Sequence, residues 1–287
     1  MCLVYLAHDT ISGAKVAIKI LLPALINDRT AMARLRREAA LGGKLAHPNV
    51  CHIIRLGETT AGFDYIVMPF LEGDLLCVRT ARAGSLPLNV TAGFVGDMCA
   101  GLHIAHGFGI IHRDLKPENI MIVAAPDGSE RAVVMDFSLA TELHVSPEMQ
   151  LTAAGVVVGT PEFMSPEQLC GEPLDPRSDI YSLAFMVYEM LTGQLPFEGP
   201  SQRDVMVARL KGASIPIRTK RPDLAIPVAV EQVLTKALEF DPARRYSTTL
   251  AFGQAFSRAA RGSPPGVLDR SREILRRLVR RLLRRRA

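Results

Sequence analysis

The sequence contains no tryptophan, few cysteines and no long apolar segment. Its five cysteines are scattered without a C-x-x-C pair, which argues against a disulfide framework or a zinc site. No apolar run approaches the ~20 residues that a membrane-spanning helix needs. The apolar stretch at 1–8 is too short and uncharged for a signal peptide. We therefore expect a cytoplasmic chain, or one held peripherally at the inner membrane face.

Positive charge is concentrated at the C-terminus. The formal net charge is +5, but residues 269–287 hold nine arginines against two acidic residues and carry +7, which leaves −2 for the preceding part. The tail's apolar residues share one helical stripe, which predicts a basic amphipathic helix. Such a helix could bind an anionic membrane surface or an acidic groove of a partner, or dock on the rest of the chain. Nucleic acid is disfavoured, because the tail has no aromatic residues for base stacking.

Hydropathy patterns divide the chain into two parts and a tail. Residues 1–73 are predicted to form a small β-rich lobe, residues 74–261 a larger helical lobe, and residues 262–287 a linker with the basic tail. An α+β fold of two lobes with a cleft between them follows. The predicted strands are 3–8, 15–21, 50–56, 63–70, 120–124 and 132–136, and the predicted helices are 28–44, 88–106, 179–191, 202–211, 229–238 and 247–261.

The strongest chemical signal is the run H-R-D-L-K-P-E-N at 112–119, in a loop between a long helix and a short strand. Transfer of a phosphoryl group needs an aligned nucleophile and neutralised phosphate charge more than covalent chemistry. Asp114 can accept the proton of an attacking hydroxyl, and Lys116 can lie against the moving phosphate. Asn119 can bind Mg²⁺ through its side-chain oxygen.

This run resembles the catalytic loop of the eukaryotic-type (Hanks-type) serine/threonine protein kinases. Within that family the sequence resembles bacterial members. The lysine two residues after Asp114 is typical of the serine/threonine branch. The resemblance implies the bilobal protein-kinase fold, ATP with Mg²⁺ (or Mn²⁺), and transfer of the γ-phosphate to a protein substrate. A small-molecule phosphotransferase is disfavoured, because residues 159–167 resemble the family's platform for peptide substrates.

Two further segments resemble the nucleotide and metal site of the family. Asp136 begins Asp-Phe-Ser, where the family has Asp-Phe-Gly and the aspartate binds Mg²⁺. The serine at 138 restricts backbone angles that glycine would allow. Lys19 ends the run V-A-I-K and is implied to anchor the α- and β-phosphates. Glu38, on the following helix, is its implied partner in a buried ion pair.

The resemblance also assigns residues between Asp136 and Glu167, which match the family's activation segment. Thr160 is implied to steady Asp114 and Lys116. Arg113 can pair with a phosphate placed on this segment, and Thr152 is the first candidate acceptor.

Two later matches concern support of the site rather than chemistry. The position of Asp179 implies that its carboxylate holds the backbone of the catalytic loop. Arg245 is implied to pair with Glu167, and loss of either partner would leave a buried charge unpaired.

The adenine pocket is implied by alignment alone. Met68 stands at the gatekeeper position, and backbone groups as far as Leu71 would meet the adenine edge. Ala17, Val4 and Met121 would lie on the two faces of the ring.

The family's glycine-rich loop is not found ahead of Val4, and Cys2 stands where its last glycine belongs. Because that loop covers the phosphates, its absence predicts weaker ATP binding. Two interpretations stay open: the natural protein extends upstream of residue 1, or the chain is a truncated copy. The alternative function is a non-catalytic kinase-like binding module, which the retained Lys19, Asp114, Asn119 and Asp136 oppose.

Overall fold

The computed structural model describes residues 2–22, 28–125, 127–137, 161–212 and 214–262. The N-terminal part is a four-stranded antiparallel sheet of order β1-β2-β4-β3. Its strands are β1 (Cys2–His8), β2 (Lys15–Leu21), β3 (Arg55–Glu58) and β4 (Asp64–Pro69). The register places Val4 opposite Lys19 and Ala17 opposite Met68, so the central strand β2 carries both Ala17 and Lys19 between β1 and β4.

Helix α1 (Arg29–Gly42) packs against this sheet. It begins after Asp28, whose side chain caps it by accepting the N–H groups of the next turn. Leu35 and Ala39 are buried against Leu21 and Ile66 of the sheet. Glu38 shares the helix face of Leu35 and is buried too, so packing of the helix directs its carboxylate toward β2.

The C-terminal part contains a small antiparallel sheet and eight helices among the described residues. The sheet has the order β5-β6-β7, with β5 (Gly73–Leu75), β6 (Ile120–Ala124) and β7 (Glu130–Val134). The helices are α2 (Leu76–Ala83), α3 (Leu88–Gly107), α4 (Pro166–Cys170), α5 (Pro176–Thr192), α6 (Gln202–Leu210), α7 (Ile217–Lys220), α8 (Val228–Ala237) and α9 (Thr249–Ala260).

Helix α5 is the centre of the larger core. Nearly all of its side chains are buried, and α3, α8 and α9 contribute further members of the same cluster. Leu45 and Val50 also belong to this cluster although they precede residue 73. The predicted lobe boundary at 73 stays a prediction. No helix among the described residues is both long and apolar enough to cross a membrane.

The structure corrects several predicted boundaries. The strand predicted at 50–56 begins only at Arg55, because the residues before it run beside β7 and Cys51 N–H donates to the Val134 carbonyl at 2.8 Å. β7 ends at Val134 rather than at 136, where Asp136 has a positive φ of 59° that a strand cannot hold. The short elements β5, α4 and α7 were not predicted, since three to five residues are too few for a periodic pattern.

Candidate active site

The loop 112–119 is anchored from below by the first turn of α5. The Asp179 carboxylate accepts the backbone N–H groups of His112 at 2.9 Å and Arg113 at 3.0 Å, and lies 2.7 Å from His106 Nε2. Burial alone would raise the pKa of Asp179, but the contact with His106 and the N–H donors outweigh it and keep the pKa below its ordinary value. Asp179 therefore stays ionised and fixes the loop backbone, as predicted; its contact with His106 was not foreseen.

Three side chains of the loop converge on one point. Lys116 Nζ lies 2.8 Å from one carboxylate oxygen of Asp114 and 3.1 Å from the other. Asn119, in the 3-10 turn Pro117–Asn119, donates from Nδ2 to the Asp114 carbonyl at 2.7 Å and to its carboxylate at 3.1 Å. Asn119 is buried whereas the Asp114 side chain is 28% exposed, so the carboxylate is held from one side and open on another.

A second charged group links the two sheets. Lys19 Nζ lies 2.8 Å from Glu38 and 2.8 Å from Asp136. Burial alone would lower the pKa of Lys19, but the carboxylates of Asp136 and Glu38 outweigh it and hold the pKa above its ordinary value. Burial raises the pKa of Glu38 to about 7, against the opposing pull of Lys19. The predicted Lys19–Glu38 pair is present, and it brings the lysine to Asp136.

The His112 side chain connects the loop 112–119 to the segment that carries Asp136. Its Nε2 lies 2.8 Å from the Met135 carbonyl, and its ring meets Phe137 edge-on at 4.8 Å between centroids. Arg113 and Asp136 both have positive φ, 68° and 59°, which costs a non-glycine residue about 1–2 kcal/mol. Such a conformation persists only where its surroundings fix it. Here that constraint comes from the contact of His112 with the Met135 carbonyl, from the packing of its ring against Phe137, and from Asp179.

Three of the five residues predicted for the adenine pocket lie in one apolar cluster. Met68, Leu71 and Met121 pack against buried Cys51, Val123 and Val133. Ala17 lies opposite Met68 in the sheet, whereas Val4 lies on the edge strand and is 62% exposed. Cys51 was missed, because a lone cysteine after a predicted turn carries no signal of its neighbours.

Helix α4 connects the end of the activation segment to the catalytic loop through a residue that sequence reasoning missed. Gln168 Nε2 donates to the Arg113 carbonyl at 2.7 Å. The Gln168 Oε1 accepts the backbone N–H of Ser165 at 3.0 Å, which completes a capping box at the start of the helix. The S-x-x-Q spacing is a recognised helix-start pattern and could have indicated this helix, although not the contact with Arg113.

The predicted Glu167–Arg245 pair is present and deeply buried. The Arg245 guanidinium donates two bonds to the carboxylate, at 2.7 and 2.8 Å, and Ser178 adds a third at 2.7 Å. Burial alone would raise the pKa of Glu167, but the bonds and charge of Arg245 outweigh it and the pKa lies below its ordinary value. The guanidinium also lies over the Tyr181 ring, 4.9 Å from its centroid. Ser178 thus ties α5 to α4, and Arg245 ties α4 to the segment that precedes α9.

Several predicted features lie outside the described residues. These are Thr160, Thr152, the serine at position 138 and the basic tail at 269–287.

The donor atoms present suit a metal ion that arrives with a phosphate group. No group of three or more His, Cys, Asp or Glu among the described residues could hold a metal by itself. Asn119 and Asp136 offer an amide and a carboxylate oxygen, and Mg²⁺ is usually held by one or two protein oxygens together with substrate phosphates and water. The nearby Lys19 ammonium adds a positive charge for the same phosphates.

Together, a sheet with a buried Lys–Glu pair and a helical part with an Asp-Lys-Asn loop form the arrangement expected of the protein kinase class. Comparison with known families agrees: the protein kinase domain matches residues 1–257. The chain belongs to the protein kinase family.

Curated relatives that match this chain are serine/threonine-protein kinases of bacteria. The chain is 37% identical to the serine/threonine-protein kinase pkn3 of Myxococcus xanthus, over 83% of this chain and 44% of that protein. It is 37% identical to the serine/threonine-protein kinase PknB of Mycobacterium leprae, over 91% of this chain and 41% of that protein. The chain thus spans less than half the length of these relatives.

Solved kinase structures share its fold. The Mycobacterium tuberculosis PknI kinase domain superposes with a TM-score of 0.67 and 26% identity, covering 90% of this chain and 91% of that one. Rad53 1-466 in complex with AMP-PNP superposes with a TM-score of 0.70 and 25% identity, covering 89% of this chain and 61% of that one.

Proposed function

We propose that this chain transfers the γ-phosphate of ATP to serine or threonine hydroxyls of proteins. The observation that carries the proposal is the convergence of Asp114, Lys116 and Asn119 in one part of the fold and of Lys19, Glu38 and Asp136 in the other. A binding module without chemistry has no need for two such sets of buried and half-buried charges, which are costly to hold.

Each residue then has a role in the reaction. Asp114 accepts the proton of the substrate hydroxyl as it attacks, and Lys116 offsets the charge that develops on the transferred group. Lys19, oriented by Glu38, binds the α- and β-phosphates. Asn119 and Asp136 would hold Mg²⁺, or Mn²⁺ in its place, which when bound would supply positive charge to the phosphates. The apolar cluster of Met68, Leu71 and Met121 with Ala17 and Val4 receives the adenine ring.

We also propose two features beyond the core reaction. The first is regulatory: Thr152 accepts a phosphate, and Arg113 pairs with that phosphate. Thr160 steadies Asp114 and Lys116 of the catalytic loop. The basic tail at 269–287 binds an anionic membrane surface or an acidic partner groove.

The test is phosphate transfer from labelled ATP and Mg²⁺ to a degenerate array of serine- and threonine-centred peptides. We expect Asp114→Asn to lower kcat by about 10²–10⁴-fold, the usual contribution of a general base, with an unchanged melting temperature. The matched control is Asp127→Asn in an exposed turn, which should transfer phosphate at the wild-type rate.

Wild-type rates in Asp114→Asn would exclude the assignment of the base. If wild type and Asp114→Asn both fail to transfer phosphate while they still bind ADP, the binding-module alternative is favoured. Mass spectrometry of the autophosphorylated chain in the same experiment shows whether Thr152 receives phosphate.

A further inference from the structure

One buried cation has no place in the mechanism above. Arg209, near the end of α6, is 2% exposed. Its guanidinium lies over the ring of Phe185 in α5, 4.6 Å from the ring centroid. A fully buried arginine is rare unless its charge is compensated by specific partners. Its partners therefore indicate what it does.

The partners of Arg209 are backbone carbonyls of the segment that leads into α4. Its Nη1 donates to the Met164 carbonyl at 3.3 Å, and its Nη2 donates to the Glu162 carbonyl. The residue between them, Phe163, packs edge-on against Phe185 at 5.3 Å between centroids. The planar guanidinium thus bridges the carbonyls of Glu162 and Met164. The Phe185 ring packs against both the guanidinium and Phe163.

This segment is directly connected to the catalytic loop. A few residues further on, Gln168 donates to the Arg113 carbonyl, next to Asp114. Glu167 is fixed on its other side by Arg245. Residues 162–164 thus contact Arg209 directly and are linked to the catalytic loop through Gln168 of α4.

The charge on Arg209 is retained. Burial lowers its pKa, with the nearby Tyr181 and Glu162 opposing the shift, but an arginine pKa begins so high that the group stays protonated. A charged donor binds carbonyl oxygens more strongly than a neutral one.

We propose that Arg209 is a positioning residue for the protein substrate: it holds the backbone at 162–164 in the place where the substrate segment lies when its hydroxyl meets Asp114. The inference rests on the proposed kinase function. It adds helix α6 to the determinants of substrate binding.

The test compares Arg209→Met and Arg209→Lys with wild type, and uses Arg203→Met as the control because Arg203 is exposed on the same helix. The substrate is the peptide that wild type phosphorylates best in the array. We expect Arg209→Met to raise KM for the peptide at least tenfold and to leave KM for ATP within twofold. Arg209→Lys keeps the charge but not the planar fork, so its peptide KM should lie between the two.

A role in stability alone predicts a different result. The melting temperature and the active fraction would fall, lowering apparent kcat, while both KM values stayed at the wild-type level. That outcome, or an equal rise of both KM values, would overturn the proposal.

Hydrogen exchange gives a readout that does not depend on catalysis. We expect amides at 162–165 to exchange at least tenfold faster in Arg209→Met, with α9 unchanged. Unchanged exchange at 162–165 would overturn the proposal even if wild type phosphorylates peptides. If wild type phosphorylates none, the proposed function fails, and exchange still decides whether Arg209 positions this segment.

Discussion

Lys19 is in contact with two carboxylates that come from distant parts of the sequence. Glu38 reaches it from α1 and Asp136 from the end of β7, each at 2.8 Å. The lysine is buried, whereas the Asp136 side chain is 39% exposed; in the proposed site a phosphate reaches the lysine from the Asp136 side. Its removal should therefore affect nucleotide binding before it affects the fold.

For Lys19→Met we expect kcat/KM for ATP to fall about 10- to 100-fold, the effect of a lost charged hydrogen bond of about 1.5–3 kcal/mol. Lys15→Met on the same strand is the control, because Lys15 is half-exposed and pairs with the exposed Glu72. Steady-state kinetics with ATP as the varied substrate measures both. Equal losses in the two variants would contradict the assignment of Lys19.

The proposed reacting residues could be selected from the sequence because they lie in contiguous motifs. Asp114, Lys116 and Asn119 share one loop, and V-A-I-K and the aspartate of Asp-Phe-Ser are short runs of fixed order. The supporting contacts were not predictable in the same way. Gln168 with Arg113, and His106 with Asp179, join common polar residues that lie 55 and 73 positions apart. No local pattern identifies such a partner.

Among the elements, α4 and α5 form the frame that carries the catalytic loop. Asp179 in α5 binds the loop backbone, and Gln168 in α4 binds the carbonyl of Arg113. Ser178 of α5 donates to Glu167 of α4 and joins the two helices, while Arg245 pairs with the same carboxylate. The long helices were predicted from their period, but α4 has five residues, and its role depends on its ends rather than on an apolar face.

Glu167→Gln should destabilise the protein by about 3–5 kcal/mol, because Arg245 would keep a buried charge without its partner. That corresponds to a loss of roughly 6–20 °C in Tm. Glu172→Gln, an exposed neighbour, should leave Tm unchanged. Thermal denaturation at pH 7 measures the difference, and a Tm equal to wild type would show that the pair is not stabilising.

The same variant should also change the response to acid. The folded pKa of Glu167 lies below its ordinary value of 4.5, so its stabilisation is complete above about that pH and is lost as the pH falls through the folded value. Wild type should therefore lose stability more steeply than Glu167→Gln as the pH falls below 4.5. Parallel curves would contradict the pKa shift.

At the scale of the whole molecule, the two parts are not independent. Leu45 and Val50 of the N-terminal part belong to the large core, and Cys51 bonds to β7. Hydropathy reveals the change from strands to helices near residue 73, but it does not reveal which core a loop residue joins. The charged tail beyond residue 262 is the remaining large-scale feature of the chain.

For the tail we expect binding to vesicles that contain phosphatidylserine and none to neutral phosphatidylcholine vesicles. Replacing four of its arginines by glutamine should weaken binding at least 100-fold, since each contributes about 1 kcal/mol near an anionic surface. Co-sedimentation of the full chain with the vesicles measures this binding. In 0.5 M salt the electrostatic screening length falls to about 4 Å, so binding should weaken as it does in the substituted tail. Equal binding to both vesicle types would leave the acidic partner as the tail's ligand.

The left-handed backbone at Arg113 and Asp136 carries a cost that glycine would remove. Two such residues cost about 2–4 kcal/mol together, a visible share of a typical stability of about 5–15 kcal/mol. Glycine adopts positive φ without that cost, so it would hold the same backbone shape at either position. It would also remove a guanidinium or a carboxylate from the proposed site, so stability and the proposed chemistry make opposite demands on these two positions.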